Sequence, residues 1–268
     1  MNYTEIVELV YKSKQMVFSK SKRSQVKTKN PYDFVTAVDT EISDFLKKEL
    51  NERYPDVGCV TEEEQEHAYS NKFFILDPID GTTNLVYDYR LSSISLAYVE
   101  NGQVVFGVVF NPFAKEMFFS IKGNGAYCIS TSNGIGKLLK VGVENYKNDP
   151  LKCSQRDLRN SIIEFGASSS RKDMTEETFS RAARIFEKCL DLRRICSSAL
   201  AICYIAAARI DGYFEKILKP WDYAAAILIL AESGGISSDW QGEALTFVKS
   251  GTIICSNWTI YNDLKKLL

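Results

Sequence analysis

The sequence predicts an α+β protein built of stacked helical and sheet layers, and three observations predict it. Residues 73–121 carry one apolar strand pattern after another, separated by turn residues. After residue 160 strand and helix patterns alternate. The run Ala224–Ala231 is apolar on every side, which marks a helix enclosed by protein. No internal repeat or low-complexity tract is present. A chain of 268 residues makes one large domain or two intimately packed halves.

Residues 4–19 place Ile6, Leu9, Val10, Ser13, Met16 and Val17 on one helical face, an amphipathic opening helix. The basic run Lys20–Lys29 reads as a solvated loop, or as an arm able to bring a lysine to an anionic site. Asp39 fits the N-cap of a second helix carrying Ile42, Phe45, Leu46 and Leu50 and stopping before Pro55. A short strand Val57–Val60 leads into the acidic run Glu62-Glu63-Glu64, then a polar loop reaches Asn71. Phe73–Leu76 is a buried strand. Ser93–Val99 and Val104–Phe110 flank the turn Glu100–Gln103, and Glu116–Ile121 follows Pro112. The polar, Gly/Asn-rich segment 131–158 is the seam expected between two packed subdomains, about 1–140 and 141–268, of a single domain spanning 1–268.

Beyond the seam come a strand Ser161–Phe165, a helix over about 175–189 and a strand near Leu192–Ile195. Ser197-Ser198 opens a small-residue helix from Ala199 to Arg209. Asp211-Gly212 leads to a strand Tyr213–Glu215. Trp221-Asp222 starts the enclosed helix, and Gly234-Gly235 stops it.

The composition narrows the function. Hydrophobic content of 45% with 25% charged residues suits a soluble globular enzyme, and a net charge of −1 gives no reason to expect nucleic acid or an acidic membrane as partner. No apolar stretch is long enough to span a bilayer, and the N-terminus lacks a signal peptide's pattern, so a cytoplasmic location is expected. Seven scattered cysteines without C-x-x-C spacing read as reduced thiols packed like small apolar residues. The lone histidine, His67, sits in a polar, exposed-looking stretch, which disfavours histidine acid–base or metal chemistry.

Chemistry concentrates in Ile75-Leu76-Asp77-Pro78-Ile79-Asp80-Gly81-Thr82-Thr83-Asn84. A buried strand that ends in two carboxylates needs a cation to neutralise them. Pro78 is expected to fix a turn that aims both acids at one ion, and Gly81 to let backbone amides approach what the ion carries. Glu62, after a strand, and Asp222, leading an enclosed apolar helix, are expected to join them. Asp222 alone is equally a dipole-favourable acid at a helix start. Carboxylate and carbonyl oxygens suit Mg²⁺, which completes its shell with water and phosphate.

Joined to Trp221–Ala226 and Glu232–Gly235, and supported by Asp33–Asp39, Thr61-Glu62-Glu63 and Asp211–Glu215, this decapeptide resembles the inositol monophosphatase family of Mg²⁺-dependent, lithium-sensitive sugar phosphatases. The resemblance spans nearly the whole chain and implies a layered αβαβα sandwich, a homodimer and two or three Mg²⁺ ions. It implies that Glu62, Asp77 and the Ile79 carbonyl hold one ion, and that Asp77, Asp80 and Asp222 hold a second. Thr82, bonded to Asp39, would orient or deprotonate the attacking water, and the amides of Gly81 and Thr82 would cradle the phosphate. Asp80, Glu215, Ser197 and Ser198 would meet the hydroxyls of a small phosphorylated polyol or sugar, and Lys27 or Lys29 matches the family's arm lysine. The implied activity is phosphomonoester hydrolysis of inositol monophosphate or a similar ester. Fructose 1,6-bisphosphate, NADP and related nucleotides are rival substrates, and a non-catalytic regulatory role is the outside alternative. Three departures are visible: Cys196-Ser197-Ser198 replaces a usual Gly-Ser-Ala or Gly-Thr-Ala, Thr61 replaces a commoner glycine, and the proline usual in the segment after Asn84 is missing around Arg90-Leu91-Ser92.

Overall fold

The computed structural model describes residues 1–30, 33–64 and 69–268, the side chains of Lys29, Asn30 and Asp33 apart; the expectation for His67 lies outside the described residues. The chain opens with α1 (Tyr3–Lys12), α2 (Lys14–Val17) and α3 (Lys20–Arg23), then β1 (Val26–Asn30), β2 (Asp33–Thr36) and α4 (Ala37–Arg53). A first sheet follows from β3 (Gly58–Thr61) and β4 (Lys72–Asp80), α5 (Thr82–Val86), and β5 (Ser93–Glu100), β6 (Gln103–Asn111), β7 (Glu116–Ile121) and β8 (Ala126–Ser130). Next come α6 (Ile135–Val141), β9 (Ile162–Phe165), α7 (Thr175–Phe186), β10 (Asp191–Arg193), α8 (Ser198–Ala206), β11 (Gly212–Leu218) and α9 (Pro220–Glu232). The chain closes with β12 (Gly235–Ser238), β13 (Gly251–Asn257) and α10 (Tyr261–Leu267).

Among the described residues the first sheet runs β3-β4-β5-β6-β7-β8, parallel only at β3–β4, and the second runs β10-β9-β11-β13-β12, parallel across β10, β9 and β11. Successive residues of β4 explain the layering. Phe74 and Leu76 join α1 and α4 in one core, whereas Phe73 and Ile75 join α8 and α9 in another. A strand covered on both faces reads as a continuous apolar run, which is why 73–76 shows no alternation. The third core seals Ile163 and Phe214 beneath α7 and α10. The order is therefore helix, sheet, helix, sheet, helix, the expected αβαβα sandwich. α9 lies so close to the first sheet that a Cβ on Gly107 of β6 would come within 2.6 Å of the Ala225 carbonyl oxygen. Among the described residues no helix is long and apolar enough to cross a membrane.

Several local expectations are corrected. The opening helix breaks at Ser13, whose hydroxyl turns back to the Val10 carbonyl. The basic run is not a loop: it forms α3 and β1, which pairs with β2 as a hairpin. Thr36, not Asp39, is the N-cap of α4; Asp39 sits three residues in and accepts from the Thr36 amide at 2.9 Å. The seam contains α6, and α7 ends at Phe186 rather than near 189. α8 stops at Ala206, three residues early, because Ala208 takes a left-handed φ of 57°. Strand β10 ends at Arg193, not Ile195.

Candidate metal and phosphate site

Pro78 does not make a turn. It lies inside β4, where the register against β5 slips between Asp77 (opposite Ser95) and Asp80 (opposite Ser93). Residues three apart on a regular strand point to opposite faces, so this irregularity is what lets Asp77 and Asp80 share a side. Gly81 follows with φ 87°, and a Cβ there would lie 3.0 Å from the carbonyl oxygens of both Cys196 and Leu91. Only glycine fits that bend, which turns the strand into α5 and presents Thr82 and Thr83 to the cleft.

The cleft is lined by Glu62, Gly81, Thr82, Glu164, Cys196, Ser197, Ser198, Tyr213, Glu215, Trp221 and Asp222, among others. Glu62 arrives just past β3, its amide bonded to the Leu76 carbonyl at 3.3 Å. Asp222 sits in the first turn of α9 and accepts from the Lys219 amide at 2.9 Å. Asp77 accepts from the Ile79 amide at 3.0 Å. Asp80 is held by the amides of Ser198 (3.1 Å) and Ala199 (2.9 Å), the Ser197 hydroxyl and, at 3.3 Å, the Ser93 hydroxyl.

These acids act on one another. Burial, then the charge of Glu62, pushes both Asp77 and Asp222 well above the usual carboxylate range, and Asp80 adds to both. Asp80 itself is raised to about 6 by burial despite its donors. None of Asp77, Asp80 and Asp222 pairs with a lysine or arginine among the described residues. Among the described residues no three His, Cys, Asp or Glu side chains are grouped tightly enough to stand as a metal site by themselves. The donor set is nonetheless oxygen throughout, and carboxylates in uncompensated proximity fit a hard divalent ion completed by water and phosphate.

Beside them, Thr82 Oγ1 is 3.0 Å from Asp39 Oδ1 and 3.1 Å from the Ile79 carbonyl oxygen, so its one proton has two acceptors. Burial raises Asp39 to about 6, and the Thr36 and Thr82 hydrogen bonds oppose the rise. At the other end of the cleft Tyr213 donates its hydroxyl to Glu215 Oε2 and meets Ser198 Oγ at 2.9 Å. Burial lifts Glu215 to about 7.

The inositol monophosphatase family model matches residues 3–268. The chain belongs to that family. A relative named Nus factor SuhB from Pasteurella multocida is 32% identical over 90% of this chain and 84% of its own. An inositol-1-monophosphatase from Rhizobium meliloti is 28% identical over 98% of this chain and 94% of its own. The solved Thermotoga maritima IMPase superposes with a TM-score of 0.82 at 28% identity, covering 97% of this chain and 94% of that one.

Within this inositol monophosphatase fold both hydroxyls of Cys196-Ser197-Ser198 are engaged, Ser197 with Asp80 and the extra one, of Ser198, with Tyr213. Cys196 is the exception to the packed-thiol expectation: it is exposed, at the cleft wall, with φ 57°. Lys27 lines an outer groove with Lys22, Glu41 and Lys48 rather than the cleft, and the Lys29 side chain lies outside the described residues. Sequence reasoning missed Glu164, 1% exposed in β9 yet lining the cleft. The signal was there: an acid inside the apolar stretch Ile162-Ile163-Glu164-Phe165 raises the same question as Asp77.

Proposed function

We propose that this phosphatase-family chain is a Mg²⁺-dependent phosphomonoesterase acting on inositol monophosphate or a similar small polyol or sugar phosphate. The observation that carries the reading is the interacting set of acids formed by buried Asp77 and Asp80 with Glu62 and Asp222, the last two lining the same cleft as Ser198 and Glu215. Glu62, Asp77, Asp80, Asp222 and the Ile79 carbonyl would hold the ions. Bound there, divalent cations supply Lewis acidity toward phosphate and water.

The protein's own groups account for the rest. Thr82 Oγ1 can pass its proton to Asp39, whose proton affinity near neutrality suits a general base, and so accept one from an attacking water. The backbone of Gly81 and Thr82 offers N–H donors to the phosphate. Glu215 and Ser198 orient the alcohol half through its hydroxyls. No nucleophilic side chain is needed, which matches direct attack by water. The name Nus factor carried by the Pasteurella relative belongs to that protein; here the carboxylate cleft supports a hydrolase.

The test is phosphate release from inositol 1-phosphate, fructose 1,6-bisphosphate, NADP and histidinol phosphate, with Mg²⁺ and with chelator. Turnover is expected only with Mg²⁺ and fastest on a polyol monophosphate, and Asp80→Asn is expected to abolish it in a folded protein. Release unaffected by chelator or by Asp80→Asn overturns the reading.

A further inference from the structure

Ile195 is gripped from both sheets. Its amide donates to Glu164 Oε1 at 2.9 Å, and its carbonyl accepts from Asn84 Nδ2 at 2.6 Å. Glu164 belongs to β9 of the second sheet. Asn84 belongs to α5 at the end of β4 in the first, and also reaches the Leu91 carbonyl at 2.7 Å. The next residue, Cys196, adopts a left-handed φ of 57°, a conformation that is strained for a non-glycine residue and persists only where neighbours enforce it. The three residues after that turn deliver the Ser197 hydroxyl and the Ser198 and Ala199 amides to Asp80.

A carboxyl buried mid-sheet is costly unless it is hydrogen-bonded, and Glu164 has the Ile195 amide as its donor. Glu164 has no arginine or lysine partner among the described residues; the nearby Arg194 donates instead to the Ala167 carbonyl at 2.8 Å. What Glu164 does hold is the one amide immediately before the strained turn. We propose that Glu164 is a positioning residue: by clamping Ile195 it maintains the Cys196 turn, so that the donors of residues 197–199 keep Asp80 aimed at the cation site. Asn84, quoted in the sequence motif without a role, is the opposite jaw of the clamp. The inference rests on the phosphatase reading for its consequence, though not for its geometry.

The experiment compares wild type, Glu164→Gln and Glu164→Leu. Hydrogen exchange across residues 195–206 is read in metal-free protein, Mg²⁺ binding by calorimetry, and kcat and KM on the ester that turns over fastest. Glu164→Leu removes the acceptor, so the Ser198 and Ala199 amides are expected to exchange at least about tenfold faster, with kcat reduced about ten- to a hundredfold by misplacement of Asp80. Its Mg²⁺ affinity is expected to fall and KM for the ester to rise with it, because the loosened segment carries Ser198 and holds Asp80, both assigned to the substrate's hydroxyls. Glu164→Gln keeps an oxygen facing the Ile195 amide and is expected to recover most of each loss. Native exchange at residues 198–199 in Glu164→Leu overturns the clamp. An equal rise of KM in both variants also overturns it, since that marks direct contact with substrate. Should Glu164→Leu fail to fold, Asn84→Ala opens the other jaw and is expected to loosen the same amides; unchanged exchange there is equally fatal. A wild type that releases no phosphate would sink the phosphatase reading, while the exchange data would still report on the clamp.

Discussion

Single ionisable side chains in this protein sit where the fold gives them little water. Glu164 is one of them: burial lifts its carboxyl from an ordinary value of 4.5 to about 8, against the opposing pull of the Ile195 amide. A carboxyl with a raised folded-state pKa binds a proton that the unfolded chain has already released. Its stabilising protonation is complete below about pH 4.5 and is lost as pH climbs to about 8. The melting temperature of the metal-free protein is therefore expected to fall across that window. Glu164→Gln, which cannot ionise, is expected to flatten the part of the fall above pH 7; scanning calorimetry from pH 5 to 8.5 checks it. An unchanged slope means that Glu164 stays ionised in the fold.

Between elements, two glycines make opposite demands. At Gly107 the atom in the way is the main chain of α9, 2.6 Å from an added Cβ, and main chain cannot step aside. Gly107→Ala is expected to push β6 and α9 apart and to cost about 1–3 kcal/mol in urea denaturation, the range for overpacking. At Gly166 an added Cβ would fall 2.0 Å from Glu215 Oε2 and 2.7 Å from the hydroxyl of the buried Tyr213 ring, side-chain ends rather than main chain. Gly166→Ala is expected to displace Glu215 from Tyr213, raising KM for a polyol phosphate more than it lowers kcat. Elements were legible where pattern and burial coincide: β4, β5, β6 and α9 read directly from apolar runs. The hairpin β1–β2 did not, because Lys27, exposed on β1, follows no buried alternation; its strand pairing comes from Val35 across the hairpin. α6, lying in the polar seam, buries only Leu138 and left almost no periodic signal.

Over the whole molecule the acids come from two adjoining layers of the sandwich: Asp77 and Asp80 from the first sheet, Glu62 beside it, and Asp222 from the middle helical layer. Asp77, Asp80 and Asp222 each accept from donors of their own, and Glu62 and Asp80 raise the proton affinity of both Asp77 and Asp222. Added Mg²⁺ is expected to raise the melting temperature by binding the folded state alone. Asp77→Asn removes one charge from the centre of that repulsion, so it is expected to stabilise the metal-free protein and to erase the Mg²⁺-dependent gain. A paired thermal-shift titration reads both effects; a destabilised Asp77→Asn without metal would show that Asp77 is held by bonds stronger than the repulsion it feels.

The sequence by itself determined the layered α+β class, the enclosed helix and the identity of the acidic residues, because burial on two faces and carboxylates beside apolar runs leave their mark on local composition. It could not determine that Pro78 sits in a strand irregularity rather than a turn, that Thr36 rather than Asp39 caps α4, or that Glu164 reaches across to Ile195. Those depend on which strand lies opposite and which amide is left without a partner. Such pairings join residues tens of positions apart, and only the folded chain brings them within hydrogen-bonding distance.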